Sequence, residues 1–174
     1  MKKKTKKVSQ FLDGLHNYII NHHHLRKDTS GKSETAIQTE IRPIIVDYLR
    51  KHFKTVGYKD PEAKANASFY WEGQEGSFGK QRALTFGSRA YPDFIITNPY
   101  VLAIEYKQSD NGAVVKHGIG QSMMHTLSGD FDYVYYLFFD QNKDKRIKES
   151  IKNQKESRII NLIWDEFNVF MRFV

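Results

Sequence analysis

Residues 91–107 read YPDFIITNPYVLAIEYK, and the fold turns on how this stretch is laid out. Phe94 to Thr97 and Tyr100 to Lys107 are apolar runs rich in β-branched and aromatic residues, the composition of strands. Asn98-Pro99 between them is a turn signal. The pair therefore reads as a β-hairpin. With the turn at its tip, Asp93 closes the far end of the first strand and Glu105 lies at nearly the matching height on the second. Neighbouring strands run roughly 5 Å apart, so carboxylates at matching height can approach each other. Side chains alternate along a strand, which puts Glu105 and Lys107 on one face and Tyr106 on the other.

Two carboxylates held close in a partly buried place repel, and one pKa rises unless a cation intervenes. A hard divalent ion answers that need, because Mg²⁺ takes one or two carboxylates together with water and phosphate oxygens. Such an ion polarises a phosphodiester, and a lysine beside it can stabilise phosphate charge or orient the attacking water. Asp93, Glu105 and Lys107 thus match metal-assisted phosphodiester hydrolysis, with Mn²⁺ as a substitute metal. The plainer alternative is a hairpin ending in a Lys107–Glu105 salt bridge.

The flanks extend the pattern. An apolar helical period runs through Val8, Phe11, Leu12, Leu15, Tyr18 and Ile19, giving a first helix over about 8–24. Ser33 is an N-cap for a second helix, carried by Ile37, Ile41, Ile44, Ile45, Tyr48, Leu49 and Phe53. Pro43 falls inside it, so this helix either kinks or starts later than Ser33. Residues 58–88 hold two short strands, Ala67 to Trp71 and Arg82 to Phe86. After the hairpin, a loop at Asp110-Asn111-Gly112 leads to a helix ending near Leu127, then to a buried strand from Phe131 to Phe139. A charged loop and a polar helix from Ile147 to about Glu156 follow, and RIINLIWDEFNVFMRFV reads as two strands around Asp165–Asn168. The class is mixed α/β (α+β), one domain over 1–174 with a basic tail at 1–7.

Pro92-Asp93 followed by Glu105-Tyr106-Lys107, with a helix and a buried strand after them, resembles the PD-(D/E)XK nuclease superfamily, also called restriction-endonuclease-like. The match covers about 34–139. It implies a mixed sheet flanked by helices, metal binding by Asp93 and Glu105 with help from the Tyr106 carbonyl, and service of the nucleophilic water by Lys107. It also implies a helix glutamate before the hairpin, for which Glu40 is the choice and Glu34 the runner-up. Gln121 resembles the glutamine that RecB-like members carry on the following helix. It sits after Gly118-Ile119-Gly120, which could bring main chain close to a phosphate.

The net charge is +7, which favours a polyanionic partner such as DNA, although Lys2, Lys3, Lys4, Lys6 and Lys7 alone supply five charges. Lys80, Arg82, Ser88 and Arg89 before Asp93, and Lys116 and His117 on the later helix, are the candidate DNA contacts. The chain has no cysteine, which excludes disulfides, thiol nucleophiles and cysteine-ligated metals and is compatible with a reducing cytoplasm. No run reaches the about 20 apolar residues of a membrane span, and Asp13, His16 and Asn17 interrupt the apolar start of the chain. His22, His23 and His24 splay around a helix, while His117 and His125 lie about 12 Å apart along theirs, too far to chelate one zinc. There is no HExxH, Walker A or G-x-S-x-G sequence. The expectation is a cytoplasmic Mg²⁺-dependent DNA endonuclease, restriction-type and homodimeric if both strands of a symmetric site are cut. A structure-specific repair, recombination or phage nuclease, an RNA-processing enzyme and an inactive nucleic-acid-binding module of the same fold are the alternatives.

Overall fold

The computed structural model describes residues 5–22, 31–74, 83–85 and 88–174, with the backbone alone described at 83–85 and 88–90. The chain begins with helix α1 (Lys6–Asn21), capped by the Thr5 hydroxyl. Helix α2 (Glu34–Thr55) starts at the Ser33 cap and carries through Pro43 without a break, so of the two sequence readings the earlier start holds. A short helix α3 (Pro61–Asn66) follows, with Asp60 as its cap and Pro61 at its first position. It occupies the stretch that the sequence leaves unread, and Ala67, expected in a strand, closes it.

Strands β1 (Phe69–Trp71), β4 (Phe94–Ile96), β5 (Leu102–Ser109), β6 (Tyr133–Asp140) and β7 (Val169–Phe173) form one sheet in the order β1-β4-β5-β6-β7. β2 (Ala83–Thr85) and β3 (Ser88–Ala90) pair separately as a small antiparallel ribbon. β1, β4 and β5 are antiparallel, whereas β5, β6 and β7 are parallel, so the sheet is mixed. The parallel half needs crossovers, and the chain supplies them as helices. Helix α4 (Gly112–Leu127) links β5 to β6, while α5 (Arg146–Ser150) and α6 (Gln154–Phe167) link β6 to β7.

α6 corrects the sequence reading of two C-terminal strands. Ile160, Ile163 and Phe167 recur at helical spacing and pack on the sheet, while Ile159 and Leu162 face outward. The run IINLIW is thus one wide apolar face of a helix, with Ile159 and Leu162 at its exposed edge. Asn153 caps its start, and Asn168 ends it in the left-handed conformation (φ 56°). The polar helix expected from Ile147 to Glu156 is in fact α5 and the first turn of α6.

The sheet is covered on both sides. Leu12, Leu15, Ile37, Ile41 and Ile45 of α1 and α2 bury the face that carries Ile104, Tyr106 and Tyr135. Ile119 and Met123 of α4, with Ile160 and Ile163 of α6, cover the face that carries Ala103, Tyr136 and Phe138. Every residue of β6 is buried, as expected of a parallel strand with helices on either side. Gly118 serves this packing. A Cβ there would stand 2.5 Å from the Tyr136 ring, so α4 can lie on β6 only with glycine at that position. Among the described residues no helix is long and apolar enough to cross a membrane.

Candidate active site

The hairpin register places the acids. Phe94 pairs with Ile104 on β5 and with Trp71 on β1. One step further along both ladders, Glu72, Asp93 and Glu105 fall in a row across three adjacent strands, and the Glu72 amide donates to the Asp93 carbonyl at 3.1 Å. Asp93 and Glu105 are buried, at 7% and 2% exposure. Lys107, two residues along β5 and so on the Glu105 face, brings Nζ to 3.9 Å from Glu105 Oε2. The same ammonium reaches Glu34 Oε1 at 3.2 Å, on the first turn of α2.

Neighbouring groups fix both carboxylates. Asp93 Oδ2 accepts from the Tyr106 amide at 2.6 Å, and its Oδ1 accepts from Gln38 Nε2 at 2.8 Å. Gln38 stands one turn after Glu34, so one stripe of α2 serves both Asp93 and Lys107. Glu105 Oε1 lies 3.1 Å from His125 Nε2, contributed by α4 from the opposite helical layer.

The Lys107 ammonium thus lies against Glu34 and Glu105 and feels the charge of Asp93, while Glu72 stands exposed at the end of the row. Burial pushes Asp93 up to about 7, reinforced by the Glu105 charge and only partly opposed by Lys107 and the Tyr106 amide. Burial likewise pushes Glu105 up to about 7, against the pull of Lys107. Glu72 is raised by burial and by Asp93. Burial works to discharge Lys107, but Asp93, Glu105 and Glu34 outweigh it, and its pKa is raised. Burial lowers His125 to about 4, so it is neutral near pH 7. The two buried carboxylates, Asp93 and Glu105, are kept from water, and among the described residues Lys107 is the cation that faces them.

Other expected residues fall elsewhere. Glu40 pairs with Lys32 at 2.6 Å, and the helix carboxylate beside Lys107 is that of Glu34. The reason is helix phase: Glu34 and Gln38 share the stripe facing the hairpin end, and Glu40 is turned about 160° from Gln38 around the axis. Gln121 lies one turn before His125 on α4, with a buried Oε1 that accepts no hydrogen bond. Lys116 and His117 are exposed near the start of α4, and Lys116 lines an apolar groove of about 420 Å³ with Ile119, Ile147 and Ile160 that holds none of the acids. Lys80 and Arg82 lie outside the described residues, and Ser88 and Arg89 are placed on β3 by backbone alone. Sequence reasoning misses Gln38, Glu72 and His125. Only the Glu34–Gln38 spacing on a capped helix start carried a signal for one of them.

Among the described residues no three His, Cys, Asp or Glu side chains converge as a ready-made metal shell. The donors available are the two carboxylates of Asp93 and Glu105, with the Tyr106 carbonyl beside them. All are hard oxygen donors, and both buried carboxylates lack enough positive charge. That set suits Mg²⁺, which keeps several waters, better than a metal needing a full protein cage. No family model matches this chain, and neither a curated protein nor a solved structure does.

Proposed function

We propose that this chain is a Mg²⁺-dependent deoxyribonuclease with a restriction-endonuclease-like core, cutting duplex DNA in the cytoplasm. The observation that carries the reading is the buried Asp93–Glu105 pair at one height of the hairpin, with Lys107 as its nearest cation. Asp93 and Glu105 would hold the metal, with the Tyr106 carbonyl beside them. When bound, Mg²⁺ polarises the scissile phosphodiester and acidifies water. The protein's part is positional. Gln38 and the Tyr106 amide aim the Asp93 carboxylate. Lys107, held as a cation by its acidic neighbours, donates hydrogen bonds to the attacking water or to a phosphate oxygen. Restriction-type cutting of both strands would take two copies of the chain related by a twofold axis.

The test is cleavage of labelled duplex DNA, single-stranded DNA and RNA by the full chain, with Mg²⁺, Mn²⁺ or EDTA. Metal-dependent cutting of duplex DNA is expected. Asp93→Ala and Glu105→Ala, with unchanged circular dichroism, should each lower the rate by at least about 1,000-fold, since each removes a metal ligand. Near-wild-type cleavage by either variant would overturn the reading, and metal-dependent cutting of RNA alone would redirect it to an RNA-processing enzyme.

A further inference from the structure

His125 stands near the end of α4 with no exposed surface. Its ring packs edge-on against Phe131, centroids 5.7 Å apart at 82°. Nε2 lies 3.1 Å from Oε1 of Glu105, while the buried Nδ1 has no hydrogen-bond partner. A carboxylate oxygen accepts, so the proton of the neutral ring sits on Nε2 and is donated to Glu105. As core packing this is a poor choice. A buried ring nitrogen without a partner carries a desolvation penalty that an apolar side chain would not incur.

The contact makes sense for what it does to Glu105. The terminal torsion of glutamate is broad and two-fold, so an untethered carboxylate can rotate. Here the two oxygens are distinguished. Oε1 is tied to His125 in one helical layer, and Oε2 lies on the Lys107 side at 3.9 Å. The imidazole is itself fixed by the helix and by Phe131, so it can hold that orientation without adjusting. Its approach from α4 also balances that of Gln38, which fixes Asp93 from α2. Each acid of the pair is thus anchored by an uncharged donor from a different helix, with the Lys107 ammonium on the Oε2 side of Glu105.

We propose that His125 is a positioning residue of the metal centre: its Nε2–H holds Oε1 of Glu105 so that Oε2 is presented to the divalent cation. The proposal rests on the reading of Asp93 and Glu105 as metal ligands. Hydrogen-bonded outer partners of ligating carboxylates contribute roughly 10- to 100-fold in metal affinity.

The experiment measures Mn²⁺ binding to the full chain directly, from the electron paramagnetic resonance signal of free Mn²⁺, together with the Mg²⁺ concentration for half-maximal cleavage. The proteins are wild type, Asp93→Asn, His125→Leu and His125→Gln. Wild type should bind and Asp93→Asn should not. His125→Leu should weaken binding roughly 10- to 100-fold and raise the Mg²⁺ requirement in parallel, with a smaller effect on the rate at saturating Mg²⁺. His125→Gln, whose amide can still donate to Glu105, should recover most of the loss. If His125→Leu does not fold, His125→Asn, whose amide stops short of Glu105, replaces it. Unchanged affinity in the Leu or Asn variant overturns the proposal alone, as does an equal loss in the Gln variant, which would mark a packing role. Absence of Mn²⁺ binding by wild type overturns the metal centre and this proposal with it.

Discussion

At the scale of the residue, the buried acids set a pH dependence whose sign can be worked out. Unfolded carboxylates titrate near 4, whereas Asp93 and Glu105 titrate near 7 in the folded protein. Between those values the native state binds more protons than the unfolded one, so their contribution makes stability fall as pH rises from about 4 through about 7. His16, His52 and His125 are all lowered by burial and act the other way below about 6.5. Wild type alone would mix the two effects, and comparison with Asp93→Asn separates them. Without metal, the stability of the variant relative to wild type should rise between pH 5 and pH 8 by on the order of 1–3 kcal/mol. Mg²⁺ at pH 8 should raise the melting temperature of wild type and not of the variant. Thermal melts in EDTA and in Mg²⁺ at the two pH values give the answer, and parallel curves for the two proteins would count against buried, mutually repelling acids. That Asp93 and Glu105 could be found from the sequence has a simple cause: one short turn sets their register. Glu34, Gln38 and His125 join them through the rotation and docking of helices far away in the chain, which local spacing does not encode.

At the scale of the element, α6 shows what periodicity reads and what it does not. Strand β6 is apolar on both faces and recognisable as a buried strand, and β5 begins as an apolar run that only later carries Glu105 and Lys107. α6 carries Ile159 and Leu162 at the exposed edge of a wide apolar face, so the short run IINLIW is almost continuously apolar and passes for a strand, although the helix as a whole is amphipathic. What settles its end is Asn168, which takes a left-handed backbone and is buried. The Asn168 carbonyl accepts from the Val134 amide at 3.0 Å, and its side-chain amide donates to the Asp132 carbonyl at 2.9 Å. The residue thus turns the chain from α6 into β7 and ties that corner to the start of β6. Asn168→Ala loses the side-chain bond and strains the backbone, and should cost about 2–3 kcal/mol. Asn168→Gly relieves the strain but not the bond, and should cost about 1 kcal/mol less than the alanine variant. Urea denaturation midpoints of the three proteins measure both. Equal losses for Ala and Gly would mean that the left-handed turn contributes nothing. β2 falls inside the strand expected from Arg82 to Phe86, whereas α3 and β3 escape the sequence because three to six residues are too few to display a period.

At the scale of the whole molecule, a chain of net charge +7 presents four carboxylates and one lysine at its candidate site. The general charge attracts DNA, and the site by itself repels the phosphate that would have to enter it. On the proposed function, exposed cations such as Lys6 and Lys7 would hold DNA loosely and in a salt-dependent way, with productive seating waiting on a divalent ion. In EDTA, binding should therefore be weak. Ca²⁺ accepts looser, higher-coordinate geometry than Mg²⁺, so it should fill the site and restore binding while supporting little cleavage. Lys107→Ala separates the two roles. It leaves Asp93 and Glu105 in place, so binding with Ca²⁺ should persist, but it removes the ammonium that stands beside Glu105. Mg²⁺-supported cleavage should then fall by roughly 100-fold or more. In EDTA the same variant should bind more weakly than wild type, because the acids have lost their nearest cation. Titration of labelled duplex DNA with wild type and Lys107→Ala in EDTA, Ca²⁺ and Mg²⁺, with cleavage followed in the same samples, tests all of this. If neither protein's binding or cutting responds to the metal, Glu105 and Lys107 are an inert ion pair at the end of a hairpin, and the attraction of the chain for polyanions has nothing to do with the acids.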